Sequence, residues 1–198
     1  MSGKSVYILS LGCPKNLVDS EVMSALLSRS GWSVTDRPDR AGVIVVNTCA
    51  FILPAKEESV EEILRMAAFK QKGRCRWLVV TGCLPQRYGA ELARELPEVD
   101  LFLGTGDFPG IPACLDRLDE DPTRVPAVQV GRPRFLMDAA VPRTVSTPFY
   151  SYLKVAEGCS NRCAYCIIPS IRGRFRSRSL DDLAEEAGRL AAGGTREI

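Results

Sequence analysis

Three apolar runs in the first half of the chain each lead into a cysteine, and this repetition constrains the fold more than any other feature of the sequence. The runs close with Leu11-Gly12-Cys13, Asn47-Thr48-Cys49 and Thr81-Gly82-Cys83, so the cysteines stand 36 and 34 residues apart. Each separation is the length of roughly one β-α unit. Because the carboxyl ends of parallel strands share one edge of a sheet, this order predicts that the three thiols converge.

The rest of the first 118 residues predicts a parallel sheet with helices on its faces. Apolar and β-branched runs predict strands at 6–9, 43–46, 77–80 and 101–103. Helical periodicity predicts helices at 17–29, 56–69, 87–96 and 111–118. In the first helix a single apolar stripe is predicted from Leu17, Val22, Met23, Leu26 and Leu27. We therefore expect an α/β fold whose N-terminal domain, residues 1–119, is a parallel sheet in three layers.

A proline-rich stretch separates this domain from the end of the chain. Residues 120–148 show little helical periodicity and are interpreted as an interdomain linker containing Pro122, Pro126, Pro133, Pro142 and Pro148. A second unit is predicted over 149–198, with a strand at 150–155, a cysteine-rich loop and a helix at 180–192. Asp181 and Asp182 suit the first turn of that helix, and Gly193-Gly194 suits its end.

Composition narrows the chemistry that the chain can perform. It has 8 Cys and no His, which excludes His-containing zinc sites and Ser-His or Cys-His nucleophiles within this chain. Its net charge is only +2, so no strong field favours a nucleic-acid or membrane partner. No apolar run reaches the length of a signal-peptide core or a membrane helix, which predicts a cytoplasmic protein with reduced cysteines.

Two interpretations of Cys13, Cys49 and Cys83 are open. Cysteine is a small buried residue that suits strand ends, but three at equivalent positions favour a metal site. Zinc accepts thiolates and normally takes a fourth ligand, whereas an iron-sulfur cluster held by three cysteines keeps one iron open. Gly12 and Gly82 would let the backbone approach such a cluster closely.

A second set, Cys159, Cys163 and Cys166, has the spacing C-x3-C-x2-C directly after the last predicted strand. Three thiolates on one loop can bind three irons of a cubane cluster and leave the fourth iron free for a small molecule. A structural zinc knuckle is the alternative, although it needs a fourth ligand. The remaining two, Cys75 and Cys114, are interpreted as incidental free thiols.

With both cysteine sets and Tyr165 beside the last cysteine, the chain resembles the radical S-adenosylmethionine (SAM) methylthiotransferases over essentially its whole length. Residues 11–21, LGCPKNLVDSE, and residues 166–173, CIIPSIRG, are similar to the RimO-type branch, which modifies an aspartate of the small-subunit ribosomal protein S-twelve. The MiaB-like branch, which modifies an adenosine of transfer RNA, typically has Gln-Met-Asn where Pro14-Lys15-Asn16 stands here.

The resemblance implies two [4Fe-4S] clusters, one on Cys13, Cys49 and Cys83, and a SAM-binding one on Cys159, Cys163 and Cys166 next to Tyr165. One SAM would methylate a sulfur carried on the first cluster, and another would yield the radical that removes hydrogen from the aspartate β-carbon. The implied partners are ribosomal protein S-twelve, with the ribosome as one possible setting, and an electron donor such as flavodoxin or ferredoxin, without a membrane.

Family members continue through a partial (β/α)6 barrel and end in a TRAM domain. The resemblance therefore implies that residues 149–198 are the start of a truncated radical SAM domain, that the TRAM domain is absent, and that the chain alone is inactive. Transfer-RNA methylthiolation is the nearest alternative activity. A non-catalytic iron-sulfur or zinc-binding module is the alternative from another class.

Two other motifs carry weaker expectations. Arg172, Arg174, Arg176 and Arg178 alternate and would project to one side if extended, either toward an acidic patch, phosphate or ribosomal RNA, or simply into solvent. Residues 104–106, Gly-Thr-Gly, lack the third glycine of a dinucleotide fingerprint and the lysine of a phosphate loop. A turn is predicted there.

Overall fold

A parallel sheet of six strands is the central element of the structure, a computed structural model that describes residues 4–124, 127–147 and 149–198. The order of neighbouring strands is β2-β1-β3-β4-β5-β6. The strands are β1 (Ser5–Ser10), β2 (Ser33–Val34), β3 (Val43–Thr48), β4 (Trp77–Gly82), β5 (Leu101–Leu103) and β6 (Val128–Gln129). Pro126 and Pro148 of the predicted linker lie outside the described residues.

Helices cover both faces of this sheet. One face packs against α1 (Pro14–Arg29) and α5 (Ile111–Glu120) through Val6, Val45 and Leu101. The opposite face packs against α2 (Leu53–Ala67) and α4 (Cys83–Glu95) through Ile44, Leu78 and Phe102. A short helix, α3 (Phe69–Lys72), follows α2. The predicted three-layer α/β fold is confirmed.

All the predicted helices occur, as do the four strands predicted before residue 104, and their bounds differ mainly at the helix starts. Helices α1, α2 and α4 begin three or four residues before the predicted first turn. In α1 and α2 a proline occupies one of the first two helical positions, where its missing N–H costs nothing and its fixed φ suits the helix. The predicted starts at Leu17, Lys56 and Arg87 leave out these first turns.

The direction in which the chain adds strands to the sheet reverses at β1. That strand has β2 on one side and β3 on the other, and β4 lies beyond β3, so the connections that leave β1 and β3 run toward opposite edges of the sheet. The helix after β1 accordingly covers one face and the helix after β3 covers the other. A crevice opens at the carboxyl ends of β1 and β3, which is where folds of this kind bind ligands.

Helix α1 is buried on more than the predicted apolar stripe. Asp19 and Glu21 are only 4% and 3% exposed, whereas Leu17 and Leu26 are half-buried. The reason is that Arg143 and Lys154 lie over this polar side of the helix and pair with its carboxylates. The stripe predicted the contact with the sheet and missed the second contact.

The last fifty residues form a smaller region. Its strands β7 (Ala156–Glu157) and β8 (Arg176–Ser177) pair in antiparallel fashion, and its helices are α6 (Ile168–Arg172) and α7 (Leu180–Ala192). As predicted, α7 carries Asp181 and Asp182 in its first turn and ends at Gly193. The Ser179 side chain accepts a hydrogen bond from the Asp182 N–H and caps the helix.

The strand predicted at 150–155 is wrong. Within that stretch only Tyr150 forms a β-bridge, in parallel with Glu197. Ser151 N–H donates to the Glu197 carbonyl, while the Val155 carbonyl accepts from Arg178, so the segment is held by separate contacts rather than by a ladder.

The stretch interpreted as a linker is largely irregular, but β6 within it joins the edge of the sheet beside β5. Farther along, the Arg143 side chain and the Thr144 N–H contact Glu21 of α1. The division into residues 1–119, 120–148 and 149–198 stays a prediction.

Candidate functional site

The three strand-end cysteines meet at one cavity, which has a volume of about 720 Å³. Cys13 follows β1 and is exposed at the start of α1, while Cys49 follows β3 and Cys83 begins α4, and both are buried. Cys159 of the second set lines the same cavity. The sheet edge thus brings the first set together and places one member of the second set beside it.

Two glycines allow the backbone to come close at this edge. Gly12 has φ +85°, and a Cβ there would lie 2.5 Å from the Cys49 Cβ. Gly82 has φ +98°, and a Cβ there would lie 2.5 Å from the Thr48 carbonyl oxygen. Both the dihedral angle and the space therefore require glycine. The neighbour in both cases is the end of β3, and a close approach to a bound cluster stays a prediction.

Amide and hydroxyl side chains fix the loops that carry these cysteines. The buried Asn16 side chain donates to the carbonyl oxygens of Leu11 and Thr48 at 3.0 and 2.9 Å, which ties α1 to the ends of β1 and β3. Asn47 donates to the Asn16 carbonyl oxygen at 2.8 Å. Ser59 of α2 accepts the Cys49 N–H at 3.1 Å. Sequence reasoning did not single out these residues.

The thiol of Cys83 lies in a strongly perturbed environment. Burial raises its pKa to about 11, while the nearby Arg172 guanidinium acts in the opposite direction. Negative charge on Cys49 or Cys13 would raise the pKa of Cys83 further, because the three sulfurs share one apolar cavity. A metal centre that binds three thiolates here would remove this cost by neutralising their charge.

Arg172 is the charged residue at the centre of the site. Its Nη2 donates to the Asn16 Oδ1 at 2.6 Å and to the Cys83 Sγ at 3.8 Å. Its Nη1 donates to the Asp19 Oδ2 at 2.8 Å. Burial opposes the charge of this guanidinium, but Asp19 and Glu157 more than offset that effect and raise its pKa. Arg172, the last residue of α6, therefore holds a fixed positive charge next to the first cysteine set.

A second cation completes the buried ion pairs. Lys154 donates to the Asp19 Oδ1 at 2.7 Å and also pairs with Glu157. Burial alone would raise the pKa of Glu157, yet Lys154 and Arg172 lower it overall. Two carboxylates and two cations thus face one another in the interior, a balance that a buried ionic group requires.

The second cysteine loop begins at Gly158, which has φ +74° and lies against the backbone of Gly173 and Arg174. Cys159 N–H donates to the Gly173 carbonyl oxygen, and Cys166 N–H donates to the Cys163 carbonyl oxygen. Cys163 is exposed, Cys159 and Cys166 are partly exposed, and Tyr165 is 92% exposed. Cys163, Tyr165 and Cys166 do not line the cavity.

The alternating arginines do not project to one side. Arg172 and Arg178 are buried, and Arg178 pairs with Asp182 and Glu186 of α7. Arg176 donates to the Pro133 carbonyl oxygen at 2.6 Å, and only Arg174 is exposed. The condition for a one-sided arrangement, an extended run, is not met, because Arg172 belongs to α6 and the segment turns at Gly173.

The remaining motifs take structural places. Cys75 and Cys114 are buried in the two hydrophobic clusters on opposite faces of the sheet. Residues 104–107 form a turn, as predicted, and the Thr105 hydroxyl donates to the Ile171 carbonyl oxygen at 2.7 Å. This hydrogen bond holds α6 against the sheet.

Residues 4–124, 127–147 and 149–198 contain neither a single-ion metal site nor a helix able to span a membrane. No three Cys, Asp or Glu side chains in these ranges stand close enough together to hold a single metal ion. None of the helices there combines the length and apolar character needed to cross a bilayer. The cysteines therefore surround a cavity rather than a preformed single-ion site.

Two family models match the chain. The one described as uncharacterized protein family UPF0004 matches residues 5–104, which include Cys13, Cys49 and Cys83. The model of the radical SAM superfamily matches residues 153–198, which include Cys159, Cys163 and Cys166. Each cysteine set thus lies within its own matched region.

Curated proteins match over almost the whole chain. A protein of Syntrophus aciditrophicus named ribosomal protein uS12 methylthiotransferase RimO is 58% identical over 200 residues, which cover 100% of this chain and 44% of the relative. Proteins of the same name from Geobacter sulfurreducens and Heliobacterium modesticaldum are 53% and 52% identical, covering 98% and 97% of this chain. These matches cover 43% and 41% of the two relatives, so the chain spans less than half their length.

Proposed function

Because the chain belongs to the radical SAM methylthiotransferase family, we propose that it forms the cluster-binding part of an enzyme that methylthiolates ribosomal protein uS12. The modified atom is the β-carbon of an aspartate. The enzyme uses SAM and iron-sulfur chemistry, and we propose two [4Fe-4S] clusters. The observation that carries the proposal is the cavity at the carboxyl ends of β1, β3 and β4, which three cysteines of the first set line together.

The residues around this cavity fit an iron-sulfur cluster. A volume of about 720 Å³ lies in the range of ligand sites and exceeds what a single ion needs. Cys13, Cys49 and Cys83 are free thiols and provide the ligand type that such clusters take. Phe51 and Ile52 add apolar lining, which would limit the access of water to the bound group.

Each neighbouring residue has a positioning role under this proposal. Cys13, Cys49 and Cys83 would bind three irons, and the bound cluster would supply a fourth iron with a position open to a sulfur ligand. Ser59 holds the backbone of Cys49, and Asn16 holds the ends of β1 and β3. The site is therefore supported by side chains that hold the cysteine backbones in place.

We assign the SAM-binding cluster to Cys159, Cys163 and Cys166, with Tyr165 in the cofactor site. Support comes from the superfamily match over residues 153–198 and from the free thiols on one loop. Cys159 also lines the cavity of the first set, so the loop begins next to it. The chemistry proposed for the whole enzyme needs both groups, because one carries the methylthio sulfur and the other generates the radical.

The remaining parts of the proposal concern the partners, the cellular location and the domain bounds. The names of the relatives support uS12 as substrate, and a reductant such as flavodoxin or ferredoxin would deliver electrons. We propose a cytoplasmic location, which is supported by eight free cysteines. Residues 149–198 would be the beginning of the radical SAM domain, after an N-terminal domain at 1–119 and a linker at 120–148.

The first test measures iron and sulfide in the anaerobically reconstituted chain by chemical analysis and Mössbauer spectroscopy. We expect about eight irons in the parent and about four after triple alanine substitution of either cysteine set. The matched control replaces Cys75 and Cys114, the two cysteines outside both sets, and should leave the iron content unchanged. Zinc in place of iron, or equal iron in all variants, would return the chain to the class of non-catalytic binding modules.

A second test addresses the substrate with a chimera in which this chain replaces the matching 200 residues of the Syntrophus aciditrophicus relative. Incubation with uS12, SAM and dithionite should add the mass of one methylthio group to an aspartate-containing peptide. The same chimera with Cys13, Cys49 and Cys83 changed to Ala is the control. A modified adenosine in transfer RNA, with unmodified uS12, would instead support the alternative substrate.

A further inference from the structure

Arg172 connects the two cysteine sets through contacts that the assignment of ligands leaves unexplained. It is the last residue of α6, the helix that follows the second cysteine loop. Its guanidinium reaches across to the first set, where Nη2 lies 3.8 Å from the Cys83 Sγ and 2.6 Å from the Asn16 Oδ1. The contact thus joins positions 89 residues apart in the chain.

The geometry around Arg172 holds the guanidinium in one orientation. Nη1 donates to the Asp19 Oδ2 at 2.8 Å, so opposite sides of the planar group are held by a carboxylate and an amide. On the backbone side, the Ile171 carbonyl oxygen accepts from Thr105 and the Arg172 carbonyl oxygen accepts from Arg176. The Nη2 that donates to Asn16 is also within hydrogen-bond distance of the Cys83 sulfur, so these contacts hold the positive charge beside that sulfur.

A fixed cation beside a ligand sulfur has a defined effect on a cluster. One-electron reduction adds one negative charge to the cluster and its thiolates, with the electron taken from the external donor. A buried positive charge and an N–H···S hydrogen bond stabilise that extra charge, and both factors set the potentials of iron-sulfur clusters. The effect is larger in the interior because the local dielectric is low.

We propose that Arg172 is a positioning residue that raises the reduction potential of the cluster on Cys13, Cys49 and Cys83 and ties that cluster to the loop of the second set. The inference rests on the proposed function, since it requires a cluster at the first set. It also assigns a role to the Arg172 side chain beyond the buried ion pair with Asp19.

The test uses the reconstituted chain with Cys159, Cys163 and Cys166 changed to Ala, so that only the first cluster is present. Its potential is measured by dithionite titration followed by electron paramagnetic resonance. Arg172→Gln should make the cluster harder to reduce by on the order of tenfold, which is 59 mV for a one-electron couple. Arg172→Lys keeps the charge and loses the fork of donors, so a smaller shift in the same direction is expected.

Arg178→Gln is the matched control, because Arg178 is equally buried and ion-paired but contacts α7 rather than a cysteine. It should leave the potential unchanged. An unshifted potential in Arg172→Gln, or an equal shift in Arg178→Gln, overturns the inference. If Arg172→Gln does not retain iron, the comparison of Arg172→Lys with the parent decides, and an unshifted potential again overturns it.

The failure of this inference is distinguishable from the failure of the proposed function. A background chain that holds no iron at the first set would overturn both. A background chain with about four irons and the same potential in every Arg172 variant would overturn only the role of Arg172. A changed resonance signal in Arg172→Gln alone would support the sulfur contact directly.

Discussion

Cysteine occupies three kinds of environment in this chain. Cys75 and Cys114 are packed in the hydrophobic core, Cys49 and Cys83 are buried at a cavity, and Cys163 is exposed on a loop. The reactive form of cysteine is the thiolate, whose formation depends on burial and neighbouring charge. The same side chain therefore serves packing at some positions and is available for ligation at others.

Cys75 should react slowly at neutral pH. Burial raises its pKa to about 11 from an ordinary 9.0, so its thiolate population at pH 8 falls about a hundredfold. Alkylation of the metal-free protein by iodoacetamide, followed by mass spectrometry from pH 7 to 10, should modify Cys163 first and Cys75 only as the pH rises. The folded state favours the neutral thiol of Cys75, and this preference stabilises the fold. The stabilisation is complete below pH 9 and is lost as the pH rises toward 11. Equal rates at pH 8 would contradict the expectation.

Gly12 should tolerate substitution less well than Gly31, although both have a positive φ of 85° and 83°. A Cβ at Gly31 meets nothing within 4 Å, so Gly31→Ala should cost only about 1–2 kcal/mol from the dihedral angle. Gly12→Ala adds the overlap of the new Cβ with Cys49 to the strain of the dihedral angle. The two effects together should destabilise the fold by several kcal/mol. Urea unfolding and iron content measure both effects. Similar losses in the two variants would show that the close approach is unimportant.

At the scale of residues, the sequence predicted the thiols but not their polar support. The strand ends were readable because each cysteine follows an apolar run within its own segment. Asn16 and Arg172, by contrast, meet across 156 positions, and neither has a local pattern that indicates the other. Such contacts arise only when the later segment packs on α1.

Helices α1 and α2 position the site in different ways. Helix α1 directs Asn16 toward the ends of β1 and β3, whereas α2 uses Ser59 to hold the backbone of Cys49. The Ser59 hydroxyl also lies 2.9 Å from the Cys49 carbonyl oxygen and 2.7 Å from the Ala55 carbonyl oxygen. Each helix thus connects one layer of the fold to the cysteine edge.

Ser59→Ala should destabilise the fold by about 1–3 kcal/mol, because it leaves the buried N–H of Cys49 without its acceptor. If the Cys49 loop moves in this variant, the iron content of the reconstituted protein should fall together with its stability. Ser28→Ala, at an exposed position of α1, is the control and should stay within about 0.5 kcal/mol of the parent. Thermal and urea unfolding provide the comparison, and a Ser59 variant as stable as the control would refute the assigned link.

At the scale of elements, predictability followed the periodicity of the sequence. Continuous apolar runs such as β3 are buried on both faces and were located without difficulty. The stretch at 150–155 is also rich in apolar residues, yet it contributes one bridge, because strand formation depends on pairing with another segment as well as on composition. Composition describes a segment, whereas a strand is a property of two segments.

In the molecule as a whole, buried ion pairs join Arg143, Lys154 and Arg172 of the later part of the chain to α1. Glu21 accepts from Arg143 at 2.6 Å and from the Ser146 N–H at 2.8 Å, and Arg143 continues to Glu186 of α7. Asp19 pairs with Lys154 and Arg172 nearby. A junction built of buried charges is sensitive to the loss of any one partner.

Glu21→Gln should therefore loosen this junction without unfolding the sheet. Loss of the carboxylate at a buried pair costs about 3–5 kcal/mol when the partner is left unpaired, and somewhat less here because Arg143 retains Glu186. Hydrogen exchange should accelerate at Thr144 and Ser146 while β3 and β4 stay protected. Glu62→Gln removes an exposed ion pair with Arg65 and should change neither region. Faster exchange throughout the sheet would contradict a local junction.

The strand order also bears on how copies of this molecule meet at high concentration. The sheet ends on both sides in strands of two residues, β2 and β6, while the long, fully buried β3 lies inside. Short edges offer a second molecule little backbone to pair with. Exposed aromatic side chains, among them Phe149 and Tyr152, offer a second molecule more apolar surface for contact than these edges do. Crowding should thus produce loose, reversible association through side chains rather than fibrous stacking of sheets.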